Sequence, residues 1–255
     1  MRGGDSFDYE SIPAGYYDMV HGRGYGIQSF WHYSKFHSVE KIVRAKKVSS
    51  LLDFACGPGT FIGCYLPQVK CVGIDVAEVQ IGYATEHYEN TFHDFQVVGV
   101  THDLLKLKQF DAVTLIEFIE HIPEEEGIEL LSKLRDNLKS GAPLILTTPN
   151  YGSVWPIIEF LIDRFGKGPK YDQQHITKLR RGRLKSMLEK SGFRVESIVG
   201  IHGVAPFSAA LSWKLAIVLR RLEGPLVRRT GLLLMAVAYP STELSVLKEN
   251  LNDEH

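Results

Sequence analysis

Four short stretches of the chain hold residues whose types and spacing could do chemistry. LLDFACGPGTF, Leu51 to Phe61, runs an apolar strand into Gly57-Pro58-Gly59 and then into a helix. Glycines there permit a tight turn and let backbone N–H groups approach a ligand at the helix N-terminus, where the dipole favours negative charge. GID, Gly73 to Asp75, puts a carboxylate at the end of the next apolar strand, where it can accept both hydroxyls of a ribose. His102-Asp103-Leu104 follows the third strand and offers a carboxylate to an exocyclic amine and a backbone amide to the adjacent ring nitrogen. A glycine turn and an acid suit either of two nucleosides, a dinucleotide such as NAD or an adenosyl group, and the Asp103–Leu104 pair favours the second.

The fourth stretch, FDAVTLIEFIEHI from Phe110 to Ile122, ends in Glu117, Glu120 and His121. If a helical turn begins there, positions i, i+3 and i+4 point one way, so two carboxylates and an imidazole converge, and His175 in QQHIT could be a fourth ligand. Such an oxygen-rich set would hold Mg²⁺ or a neighbouring divalent ion and could deprotonate a hydroxyl by coordination. The alternative is a Glu-His pair with a structural role only. His121 by itself is a general-base candidate just past the fourth strand, or else a histidine that fixes loop geometry.

The elements that must position these residues form a rhythm. Apolar runs at Ser50–Ala55, Lys70–Ile74, Asp94–Val98, Phe110–Ile116 and Ala142–Thr148 alternate with helical stretches such as Val79–Asn90 and Glu124–Ser140. Continuous apolar strands alternating with helices imply parallel βαβ units with both sheet faces covered. The expected fold is therefore a doubly wound α/β sheet. The chain has 255 residues, 44% of them hydrophobic and 23% charged, enough for a large core without disulfides. Its net charge of −1 removes the global argument for a nucleic-acid partner, and three cysteines without a CxxC pair argue against a zinc ribbon. The N-terminus has no apolar secretory region and the stretch Val204–Leu219 is interrupted by polar residues, so a cytoplasmic protein is expected.

At the level of these motifs the chain resembles the class I S-adenosylmethionine-dependent methyltransferases over about residues 50–240. The resemblance implies a Rossmann-like, seven-stranded sheet whose last strand is antiparallel, with helices on both faces and an antiparallel hairpin made by Phe193–Ile201 and Leu232–Ala238. It implies cofactor contacts from Asp53, Ala55, Cys56, Gly57 and Gly59, from Asp75 and Val76, from Asp103 and Leu104, and from Glu117. Ala55 departs from the family's usual glycine, which is harmless where φ is negative. LTTPN, Leu146–Asn150, and SGF, Ser191–Phe193, are similar to the subgroup with ubiquinone-biosynthesis O-methyltransferases. Glu117, Glu120, His121 and His175 resemble the EVIEH motif and distant histidine that hold a divalent metal in small-RNA 2′-O-methyltransferases. The activity implied is methyl transfer to a small-molecule or lipid-like acceptor at oxygen, with an NAD(P)-dependent oxidoreductase or a non-catalytic methyltransferase-fold subunit as alternatives.

Three regions surround this domain of residues 47–240. Residues 1–46 are crowded with aromatics and are expected to form a lid, with the Gln28–Lys46 helix closing the site, Trp31, Tyr33 or Tyr25 shielding the reactive methyl, and Lys35 or Arg23 pairing with the cofactor's carboxylate. The alternative is a helix that completes the core. Helical insertions are expected at 151–176 and 202–230, the second with five basic residues against Glu223 alone, which allows peripheral membrane contact or a lid for an anionic substrate. Residues 241–255 read as a polar tail.

Overall fold

A computed structural model of the chain describes residues 12–98, 109–165 and 174–241. Seven strands, β1 (Ser50–Phe54), β2 (Lys70–Asp75), β3 (His93–Val97), β4 (Ala112–Ile116), β5 (Leu144–Pro149), β6 (Phe193–Ile201) and β7 (Leu233–Pro240), form one sheet in the order β3-β2-β1-β4-β5-β7-β6. The first five strands pair in parallel, and β7 lies antiparallel between β5 and β6. This is the Rossmann-like methyltransferase arrangement that the sequence resemblance implies.

The helices are α1 (Tyr16–Gly22), α2 (Ile27–Ala45), α3 (Thr60–Tyr65), α4 (Glu78–Tyr88), α5 (Glu124–Asp136), α6 (Trp155–Phe165), α7 (Arg181–Lys190), α8 (Ala205–Ser208), α9 (Trp213–Leu222) and α10 (Gly224–Thr230). On one sheet face, Leu131 and Leu134 of α5 and Leu184 and Leu188 of α7 pack on Val113, Leu115 and Leu146. On the other, Val39 and Val43 of α2, Phe61 and Ile62 of α3 and Ile81 of α4 pack on Leu51, Ala112 and Ile145. The C-terminal half of α2 thus belongs to the core, and its N-terminal half projects past the strand ends.

Several elements are shorter than their apolar runs. β4 starts at Ala112 because Phe110 bridges to Leu138, and the Asp111 carboxylate accepts from the backbone N–H groups of Ser49 (3.1 Å) and Ser50 (2.9 Å) and from Lys139 Nζ (2.7 Å). α5 stops at Asp136 because Asn137 O accepts from Phe110 N–H at 2.8 Å. α7 starts at Arg181 rather than Thr177, whose N–H donates to Glu120 O (2.9 Å) and whose hydroxyl donates to Ile122 O (2.6 Å), pinning the preceding segment over the site.

β1, β4 and β6 each deliver the chain into a residue in the left-handed region, Ala55 (φ 59), Glu117 (φ 52) and His202 (φ 62). The negative φ under which an alanine would be harmless at position 55 is therefore not what the turn adopts. A non-glycine residue in this region costs about 1–2 kcal/mol of backbone strain. Ala55→Gly should relieve it, offset in part by the greater freedom of glycine when unfolded, and raise stability by about 0.5–1 kcal/mol in urea unfolding.

Candidate active site

The carboxyl ends of β1 and β2 form the first half of the site. Gly57 (φ 54) and Gly59 (φ 74) turn the chain between β1 and α3, and a Cβ at Gly59 would stand 2.8 Å from the Phe95 ring. The Asp75 carboxylate accepts from the N–H groups of Gly57 (2.8 Å) and Ala77 (3.0 Å), so the acid and the glycine turn are one unit. A carboxylate has about four acceptor positions, and these two N–H groups take up two of them. Asp53 is fully buried and accepts from Thr114 Oγ1 at 2.6 Å. Burial pushes its carboxyl up to about 7. Cys56 donates its N–H to Ile74 O (3.0 Å), and burial pushes its thiol well up, so it serves as a neutral wall. Val76 is exposed beside Asp75. The Asp103 and Leu104 contacts lie outside the described residues.

The second half lies at the ends of β4 and β5 under α1 and α2. The left-handed turn at Glu117 aims its carboxylate at α2, where it pairs with Lys35 Nζ and accepts from Trp31 Nε1 at 3.3 Å. This pair is 5% and 20% exposed, which makes it a strong tether between residues 82 positions apart. Lys35, expected to meet a cofactor carboxylate, has the Glu117 carboxylate as its partner in the ligand-free chain. Tyr17 of α1 keeps 38% of its surface exposed; desolvation, with the nearby charges of Tyr16, Glu117 and Asp75, pushes its phenol up to about 12. Of the other expected shields, Tyr25 is exposed and Tyr33 packs on Phe30 and Trp213; Arg23, the other candidate for a cofactor carboxylate, is exposed.

Glu120, His121 and His175 converge, with one ligand atom from each within 4.8 Å of the others. Glu117 does not join them, because the single 3₁₀ turn starts at Ile119 and position 117 lies before it in the left-handed region. Glu120 Oε2 accepts from Thr148 Oγ1 at 2.9 Å, while Oε1 is buried without a hydrogen-bond partner. Burial, with the neighbouring charge of Glu117, pushes its carboxyl up to about 8. His121 Nδ1 lies 3.0 Å from Gln174 O, so Nδ1 carries the proton and the lone pair is on Nε2. The His175 Nδ1 lies 2.8 Å from Tyr151 Oη, whose proton goes to Glu159 Oε2 at 2.5 Å, leaving the His175 lone pair likewise on Nε2. Burial pushes both imidazoles down, His121 to about 4. Two neutral histidines oriented through their other nitrogens, beside a carboxylate with a free oxygen, make a donor set that fits a divalent cation.

Sequence reasoning missed two members of this neighbourhood. Glu159 is buried and steadies His175, and its only signal was a carboxylate on the otherwise apolar face of WPIIEFLIDRF. His202, directly after β6, is 4% exposed, sits 4.2 Å from the Trp31 ring and has no bonded ring nitrogen. Burial, then the charges of Lys35 and Arg220, push its imidazole well down, so it stands neutral beside Trp31.

The buried Asp53 makes a pH test possible. Its folded value near 7 lies above the ordinary 3.8, so the folded chain binds the extra proton between these values and stability falls as pH rises across that window. Asp53→Asn should flatten the fall and make the ligand-free protein more stable above pH 7 by a few kcal/mol at most, read from urea unfolding at a series of pH values.

The methyltransferase domain family matches residues 27–198, about two thirds of the chain. No curated protein sequence matches it. Among solved structures, the magnesium protoporphyrin IX methyltransferase of Synechocystis with bound S-adenosylhomocysteine superposes with a TM-score of 0.61 at 17% identity, covering 88% of this chain and 93% of that one. A SAM-dependent methyltransferase of Archaeoglobus fulgidus gives 0.56 at 22% identity, covering 80% and 93%. The methyltransferase domain of bacterial CtHen1 gives 0.57 at 16% identity, covering 82% and 98%. Matched from the start of α2 into β6, the chain belongs to the methyltransferase domain family.

Proposed function

We propose that this protein transfers the methyl group of S-adenosylmethionine to an oxygen of a small-molecule or lipid-like acceptor, with a divalent cation held by Glu120, His121 and His175. The observation that carries the choice of oxygen is the convergence of the buried Glu120 carboxylate, whose Oε1 has no hydrogen-bond partner, with the two neutral imidazoles. The sequence resemblance to ubiquinone-biosynthesis O-methyltransferases at Leu146–Asn150 points the same way. In that segment Thr148 steadies Glu120, and Thr147 O accepts from Glu117 N–H at 2.9 Å.

The sulfonium supplies an electrophilic methyl, so the chain's task is alignment and exclusion of water. Asp75 would hold the ribose hydroxyls, the turn at Gly57 and Gly59 would bring backbone N–H groups close to the cofactor, and the Asp53 carboxylate would answer the cofactor's positive charge. Trp31 and Lys35 of α2, both bound to Glu117, would cover the crevice from the N-terminal side. A divalent cation at the Glu120 cluster would act as a Lewis acid that eases loss of the acceptor's hydroxyl proton. Gln174, Tyr151 and Glu159 keep the two histidines turned toward that position. His121, with a weakly basic and already oriented ring, serves better there as a ligand than as a general base.

Two measurements test this reading. Asp75→Ala should weaken S-adenosylhomocysteine binding in calorimetry by about 2 kcal/mol, roughly thirtyfold, and unchanged affinity would refute the ribose contact. Mn²⁺ should raise the melting temperature of the wild-type protein but not of Glu120→Gln or His175→Ala. The metal is discarded if the wild type shows no shift and methyl transfer survives exhaustive chelation.

A further inference from the structure

Two segments carry large apolar side chains that the fold leaves in water. On α6, Ile157, Phe160, Leu161 and Phe165 are exposed, opposite the buried Trp155 and Glu159. The second row is more regular. Leu211 just ahead of α9, Leu215, Val218 and Leu222 along it, and Leu226 on α10 recur every three or four residues, and all are exposed, Leu211 by 87%. The inner side of α9 is already satisfied, since Ala216, Trp213 and Ile217 pack with Phe30 and Tyr33 of α2. The outer row has no partner among the described residues. α6 follows the carboxyl end of β5, and α8–α10 connect the end of β6 to the start of β7, so both segments leave the sheet at its carboxyl edge.

Charge identifies what covers the row. Lys214 and Arg221, each one position before a row leucine, flank it on one side, and Arg228 and Arg229 follow on α10, all exposed. None of the four forms a salt bridge with a described residue. The one acid of the segment, Glu223, is occupied, accepting from the N–H groups of Gly203 (3.1 Å) and Val204 (2.8 Å). In a chain whose net charge is −1, this is a local excess of cations around apolar side chains. A second copy docked symmetrically on this face would set cations against cations. No described helix is long and apolar enough to cross a membrane, so any lipid contact through them is at the surface.

We propose that the α9–α10 face docks on an anionic lipid bilayer, its leucine row in the boundary between head groups and acyl chains and its cations on lipid phosphates. The site's carboxyl edge is then held at the membrane surface, whatever atom it methylates.

The test is cosedimentation of the full chain with phosphatidylcholine vesicles, with and without phosphatidylglycerol, at low and physiological salt. Binding should require phosphatidylglycerol and weaken with salt. Lys214→Glu with Arg221→Glu should weaken it by at least about fivefold per cation, and Leu215→Ser with Leu222→Ser by more than about tenfold. S-Adenosylhomocysteine affinity should be unchanged in both, which separates this inference from the proposed reaction. If the leucine pair unfolds the chain, Leu226→Ser and Arg228→Glu with Arg229→Glu carry the same test. The proposal is overturned if wild-type protein ignores anionic vesicles, if the folded variants bind as it does, or if light scattering shows that the leucine changes turn a dimer into a monomer.

Discussion

Negative charge withdrawn from water, with too little positive charge to answer it, governs the carboxyl edge of this sheet. Asp53, Glu117 and Glu120 are brought there by β1, β4 and the turn after β4. Glu117 meets the Lys35 ammonium. Asp53 and Glu120 each have one threonine hydroxyl, and burial raises both toward neutrality. Removing an ion from water costs several kcal/mol even after relaxation, so such carboxylates are a liability in the ligand-free chain. On the reading proposed above they become assets when the ligands arrive, Asp53 toward an organic cation and Glu120 toward a metal ion.

Backbone strain collects at the same edge. Ala55, Glu117 and His202 each follow a strand directly, and each turns left-handed. At Glu117 the turn sends the carboxylate to α2 rather than along the 3₁₀ turn, and at His202 it leaves the ring against Trp31. Sparsely populated backbone of this kind persists where packing on all sides dictates it. At Glu117 and His202 α2 takes part in that packing: Phe36, Val39 and Val43 anchor it in the core while Trp31 and Lys35 reach the strand ends, whereas Ala55 packs on the opposite sheet face. One helix therefore couples the stability of the domain to the shape of the crevice.

The strands, the glycine turn and Asp75 were legible in the sequence because each is local: an apolar run of the right length, a turn that needs glycine, an acid at a strand end. What could not be read were pairings across long separations and conformations without a residue signature. Nothing in EFIEH announces that its first glutamate is left-handed, so helical spacing grouped Glu117 with Glu120 and His121, whereas the backbone gives it to Lys35. The convergence of Glu120 and His121 was local and came out as expected, and His175 joined them through the segment pinned by Thr177. Glu159 and His202 depend on how two excursions fold back, which periodicity does not encode. The N-terminal helix, read as either lid or core, is both, one half to each.

The antiparallel placement of β7 has a consequence for how such a protein can diversify. Because Ile201 pairs with Leu233 across the sheet, the excursion between them departs and returns at neighbouring points. Closing a longer or shorter excursion between fixed anchors changes the entropy only logarithmically with its length. The strand pairing itself therefore sets little limit on the excursion's length, while its inner residues stay bound to α2 through Phe30 and Tyr33. Insertions can thus accumulate on the outer side of that excursion, the side that carries Leu211, Leu215 and Leu222, without displacing the residues that hold α2.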